Sequence, residues 1–151
     1  MSLTEQLKDD LKNAMRAGDV GRRAVLRYLL SEIHNQEIAR QRELKDEDLF
    51  DLLSKQAQQR RDSIEAFTNG KREDLVAKEE VELEIIIAYL PKQLSDDEID
   101  ELVLAAISES GASGTQDIGK VMSLLMPRVK GIAQGSVVSA MVSEKLRSQG
   151  N

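Results

Sequence analysis

The sequence contains no cysteine, no tryptophan, a single histidine and only two prolines. Without thiols the chain can build no disulfide, redox pair, zinc finger or thiolate nucleophile. Aromatic residues make up 3% of it, too few for the stacking platforms that grip single-stranded bases. The longest apolar run, IIIAYL at 85–90, is far below the roughly 20 residues of a membrane span. Asp9 and Asp10 fall where a secretory signal needs apolar residues. These absences predict a chain without membrane contact, and a cytoplasmic setting is the expectation.

Charge is what the sequence has in quantity. Asp, Glu, Lys and Arg reach 32%, with a formal net charge of −6, a balance typical of amphipathic helices and poor for sandwiches or barrels. A net negative chain is not a general polyanion coat. The distribution is uneven, however. Residues 73–84 carry six acids against Lys78 alone, whereas 118–143 carry Lys120, Arg128 and Lys130 with no acid.

Apolar spacing predicts helices throughout. Thr4 can cap a first helix carrying Leu7, Leu11, Ala14 and Met15, which Gly18 ends, and Asp19 caps a second running to about Arg42. A third begins after Asp46 and stops at Asn69-Gly70. In REDLVAKEEVELEIIIAYLP three successive isoleucines favour a strand, but the spacing of Leu75, Val81, Ile85 and Tyr89 favours a helix, and the helical reading is preferred. Its apolar last turn implies burial between lobes, and Pro91 explains its end. Ser95 to Glu98 reads as a capping box, Gly111 as a stop and GASGTQ as a linker. Two further helices follow, one with Val121, Leu125 and Val129 and Pro127 near its end, one with Val138, Met141, Val142 and Leu146 that frays from Ser148.

The stretch GTQDIGKV at 114–121 is one residue from a phosphate-binding loop, because Val121 stands where a hydroxyl should hold magnesium. No apolar strand precedes it, and Val121 falls on the core-facing stripe, so its glycines are read as chain reversal.

Three strings, AGDVGRRAVLRYLLSEIHNQEI, RRDSIEAFTNGKREDLVAKEEVELEIIIAYLP and DIGKVMSLLMPRVKGIAQGSVVSAMV, together resemble the GatB/YqeY family across nearly the whole chain. The resemblance implies an all-α protein, with an N-terminal multi-helix lobe at 1–92 and a smaller three-helix lobe at 93–151. The second lobe is similar to the tail of the B subunit of tRNA-dependent amidotransferases, which grips tRNA while other domains do the chemistry. Family usage also implies a carbon–nitrogen ligase activity with glutamine as amide donor. The residues offer no constellation for that reaction, and neither a metal nor a cofactor is expected. The leading expectation is a non-catalytic accessory module that binds tRNA or assists amidation or aminoacylation. The alternative is an adaptor that docks a translation factor, an aminoacyl-tRNA synthetase or an amidotransferase.

Several side chains are candidates for such a role. By the resemblance, the RNA-binding block is Lys120, Arg128, Lys130, Gly131 and Ala133, with the two small residues letting a phosphate backbone come close. Ile132 and Gln134 depart from the family pattern and leave fewer charges there. Three cations predict a salt slope of roughly −2 to −3. Arg22, Arg23 and Arg27 could serve RNA or the acidic fourth helix, and Arg60, Arg61 and Arg72 form a third basic group in which Arg72 can pair with Glu73 or Asp74. His34, without a second histidine, reads as structural, and the carboxylates from Glu79 to Glu84 as a solvated face.

Overall fold

In the computed structural model, which describes residues 1–149, the elements are helical and no strand occurs among them. Helix α1 spans Leu3–Ala17, α2 Val20–Arg40, α3 Asp46–Asn69, α4 Glu73–Ile87, α5 Asp96–Ser110, α6 Ile118–Val129 and α7 Gly135–Gln149. Fraying from Ser148 is not seen as far as Gln149, and residues 150–151 lie outside the described ones. A single 3-10 turn, Thr115–Asp117, precedes α6.

Local chemistry sets most of the ends. Ser2, one residue before α1, forms a capping box with Glu5, so the cap is Ser2 and Thr4 sits inside the helix. Gly18 and Gly111 close α1 and α5 at φ 70 and 69, conformations that cost a glycine nothing. Asp19 caps α2 through the Arg22 N–H, and Ser95 caps α5 reciprocally with Glu98. After α2 the chain turns at Gln41, and Asp48 closes the turn by accepting from Arg40, Arg42 and the Lys45 N–H. These donors, Arg42 foremost, hold its carboxyl well below the usual carboxylate range.

Helix α3 stops at Asn69-Gly70 as its sequence marks, with a turn that does not use the glycine's left-handed freedom. Gly70 is at φ −83, and the left-handed residue is Lys71 at φ 58. A side chain in that conformation costs about 1 kcal/mol, against about 0.5 kcal/mol for the extra unfolded-state freedom of glycine. Lys71→Gly is therefore expected to raise stability by about 0.5 kcal/mol. A lowered urea midpoint would show that Lys71 is unstrained.

The backbone forms two units, Met1–Leu90 and Pro91–Asn151. In the first, α1 packs on α2 and α3 on α4, with α2 also touching α3 and α4. Its core gathers Leu7, Leu26, Leu29, Ile33, Leu53 and Ile86. At the apolar end of α4, Ile85, Ile86 and Tyr89 bury in the core of this unit. In the second unit α5, α6 and α7 pack pairwise around Val103, Val121, Leu125, Val138, Val142 and Leu146.

Candidate nucleic-acid interface

The tail candidates sit on and just after α6, whose core stripe of Val121, Leu125 and Val129 fixes which side faces out. Lys120, Arg128 and Lys130 are all exposed. The Lys120 side chain makes no ion pair or hydrogen bond among the described residues. Arg128 is different. Its guanidinium forks onto Glu109 at the end of α5, with Nη2–Oε2 at 2.6 Å and Nη1–Oε1 at 3.2 Å. The hydrogen bonds, then the charge of the pair, hold Glu109 below its ordinary range and raise Arg128 above its own. The stretch 118–143 is acid-free along the chain, yet folding brings an acid of α5 to it. Lys145 meets Asp100 of the same helix at 3.0 Å.

The small residues do not offer the expected open backbone. Gly131 is buried at φ 79, and its carbonyl accepts from the Gln93 side chain at 2.9 Å. The neighbouring Ile132 carbonyl accepts from the Leu94 N–H at 2.7 Å. The N–H groups of Ile132 and Ala133 both turn back to the Val129 carbonyl, and Ala133 packs on the core. The segment 93–94 therefore lies against the 131–132 backbone, and the exposed part of the candidate block is its three cations.

The loop at 113–117 is likewise closed. Asp117 accepts from the Ser113 N–H at 3.0 Å, so the loop supplies its own anion where a phosphate would lie. Gly114 is buried against Gln116, and Val121 is fully buried.

The secondary arginines separate into distinct roles. Arg22 lines a cleft of about 300 Å³ with Asp10, Asn13, Ala14, Ala17 and Asp19. There the Tyr89 hydroxyl donates to Asp10 at 2.5 Å. Burial first and Asp10 second push the Tyr89 hydroxyl up to about 12, against the opposing effect of Arg22. Tyr89 is thus a proton-holding strut between α1 and the end of α4. Arg23 and Arg27 make no ion pair with the acidic α4, and the Arg27 Nη2 rests 3.9 Å from the Met15 sulfur. Arg60 reaches α4 from α3, 3.5 Å from Glu82, bonded to Gln56 at 2.5 Å and set over the Tyr28 ring at 5.3 Å. Arg61 is half-buried, and that burial depresses its pKa. Arg72 pairs with Asp74 at 3.2 Å in the open, and His34 is exposed.

Among the described residues no three acids or histidines gather as a metal site, and no helix is long and apolar enough to cross a membrane. Fold and surface together define a class: an all-α protein whose candidate site is a set of surface cations on helices. More particularly, the chain matches the model of the Yqey-like proteins over residues 4–146 and belongs to that family. It is 37% identical over 144 residues to altered inheritance of mitochondria protein 41, mitochondrial, of Pyrenophora tritici-repentis, a match covering 94% of this chain and 77% of the relative. The like-named protein of Saccharomyces cerevisiae is 45% identical over 95 residues, covering 62% and 51%. That of Lachancea thermotolerans is 47% identical over 106 residues, covering 68% and 57%. The chain thus spans about half the length of the two yeast relatives.

These names overturn the cytoplasmic expectation, since the relatives are called mitochondrial proteins. The composition could not have decided the matter, because a chain without thiols leaves the redox state of its surroundings nothing to act on.

Proposed function

We propose that the protein is a non-catalytic accessory module that binds tRNA, with residues 93–151 as a tail-like domain that contacts the phosphate backbone through Lys120, Arg128 and Lys130. The compartment, following the names of the relatives, is mitochondrial. The observation that carries the reading is the Arg128–Glu109 fork. Its two members are 39% and 51% exposed, so solvent already screens the pair. A guanidinium held in two-pronged geometry by a carboxylate is arranged as a phosphate would take it. Glu109 then acts as an internal competitor that RNA displaces.

Opposite signs follow for the two partners. Glu109→Gln is expected to tighten tRNA binding about three- to tenfold at low salt, and Arg128→Ala to weaken it by a similar factor and reduce the salt slope by about one. Glu101→Gln removes the same charge two turns earlier on α5 and is expected to change little. Fluorescence anisotropy with purified tRNA separates these cases. Unchanged affinity in both the Glu109 and Arg128 variants, or no preference for tRNA over heparin, would remove the reading. A pull-down of a synthetase that survives RNase and high salt would favour an adaptor role.

A further inference from the structure

The outer side of the α1–α2 hairpin carries cations that the tail reading leaves unused. On α1, Lys8, Lys12 and Arg16 are exposed and follow at four-residue steps, which places successive charges about 6 Å apart along one side of a helix. Arg23 and Arg27 repeat the step on α2, and the contact of Arg27 with Met15 joins the two rows across the seam. Among the described residues none of these five cations is ion-paired, whereas Arg40, Arg42, Arg60, Arg72 and Arg128 each meet a carboxylate. The acids beside these rows are Glu5 and Asp9 on α1 and Asp19 before α2, of which Glu5 accepts from the Ser2 N–H and Asp19 from the Arg22 N–H, so three carboxylates stand against five cations. In a chain of net charge −6, this is a local surplus that the fold does not compensate.

We propose that this strip binds the sugar–phosphate backbone of a folded RNA. Two rows of evenly spaced cations suit a regularly charged strand. An amphipathic helix of a partner protein would need apolar anchors beside the charges, and an anionic membrane would need an apolar face to sink into it. Met15 and Val20 are the large apolar side chains exposed beside the cations, the Tyr28 ring is taken up under Arg60, and Ile38 lies toward the other end of α2, about 27 Å from Val20 along its axis, so they form no continuous apolar face. The inference deepens the tRNA reading, on which it rests for the kind of RNA, while its geometry is independent of the tail.

The test uses the full chain with Lys12→Gln, Arg16→Gln and Arg27→Gln combined, three exposed positions, against a control carrying Lys55→Gln, Lys71→Gln and Lys78→Gln, which removes equal charge from exposed sites elsewhere. Anisotropy with unfractionated tRNA across a salt series is expected to show about a tenfold loss for the strip variant and a log–log slope smaller by about 2 to 3. The control should lose no more than about twofold, and both variants should keep the circular-dichroism melt of the parent. Equal losses in strip and control variants overturn the strip as a site. Unchanged strip binding with a weakened Arg128→Ala variant also overturns it, and leaves the tail reading standing. Weakened strip binding with a silent Arg128 variant keeps the strip and removes the tail contact. Strip-dependent binding to phosphatidylglycerol vesicles without tRNA binding replaces RNA by lipid and overturns the proposal.

Discussion

Leu125→Ala is expected to destabilise the second unit by about 3 to 5 kcal/mol, enough to unfold much of it at physiological temperature. Leu125 has no solvent exposure and sits in a core shared by α5, α6 and α7. Truncation removes three carbons from a site that rigid neighbours cannot refill, so the cavity cost adds to the lost transfer energy. A unit of this size is marginal to begin with: about 60 residues bury only about 60% of their unfolded surface. The core of the first unit shares no residue with that of the second. Native-state hydrogen exchange should therefore show protection lost from α5 to α7 and kept in α1 to α4. The RNA binding proposed for Lys120 and Arg128 should fall in parallel, since α6 positions both. A loss below about 1 kcal/mol would mean the helices can close around the missing side chain.

Glu82→Ala should cost the first unit about 2 to 4 kcal/mol, because it strands a charge that has few alternatives. The Arg60 side chain is 13% exposed and that of Glu82 22%. Arg60 Nε is buried and has no hydrogen bond, with Glu82 Oε2 at 3.5 Å as its counter-charge. Gln56 and Tyr28 hold the other parts of the guanidinium region, yet neither carries a negative charge. The double variant Arg60→Met with Glu82→Leu is expected within about 1 kcal/mol of the parent, since apolar groups of similar length remove both desolvation costs together. Chemical denaturation of the two singles and the double closes the cycle. A double variant as unstable as Glu82→Ala alone would show that packing around Arg60, and not its charge, sets the loss.

The two predictions mark different limits of reading a sequence. The spacing of Val121, Leu125 and Val129 announces a core stripe because helix period is a property of consecutive residues. Nothing in the stretch around Arg60 announces Glu82, which is twenty-two residues away on another helix. The choice of helix over strand for the triple isoleucine also follows from local signals: the acidic start and the apolar spacing outweigh β-propensity there. Lys71 shows the reverse, since Asn69-Gly70 marked the turn but not which residue would take the left-handed conformation.

By itself the sequence determined the all-helical class, the caps at Asp19 and Ser95, the stops at Gly18 and Gly111 and the family of the chain. Each is written within a few residues or in a run of motifs. Tertiary structure alone decided which cations a carboxylate engages. Electrostatic pairing depends on distance through space, and α5 delivers Glu109 to Arg128 while the 93–94 segment seals Gly131. No pattern along the chain encodes those approaches, because they arise only when separate helices bury their apolar sides against one another.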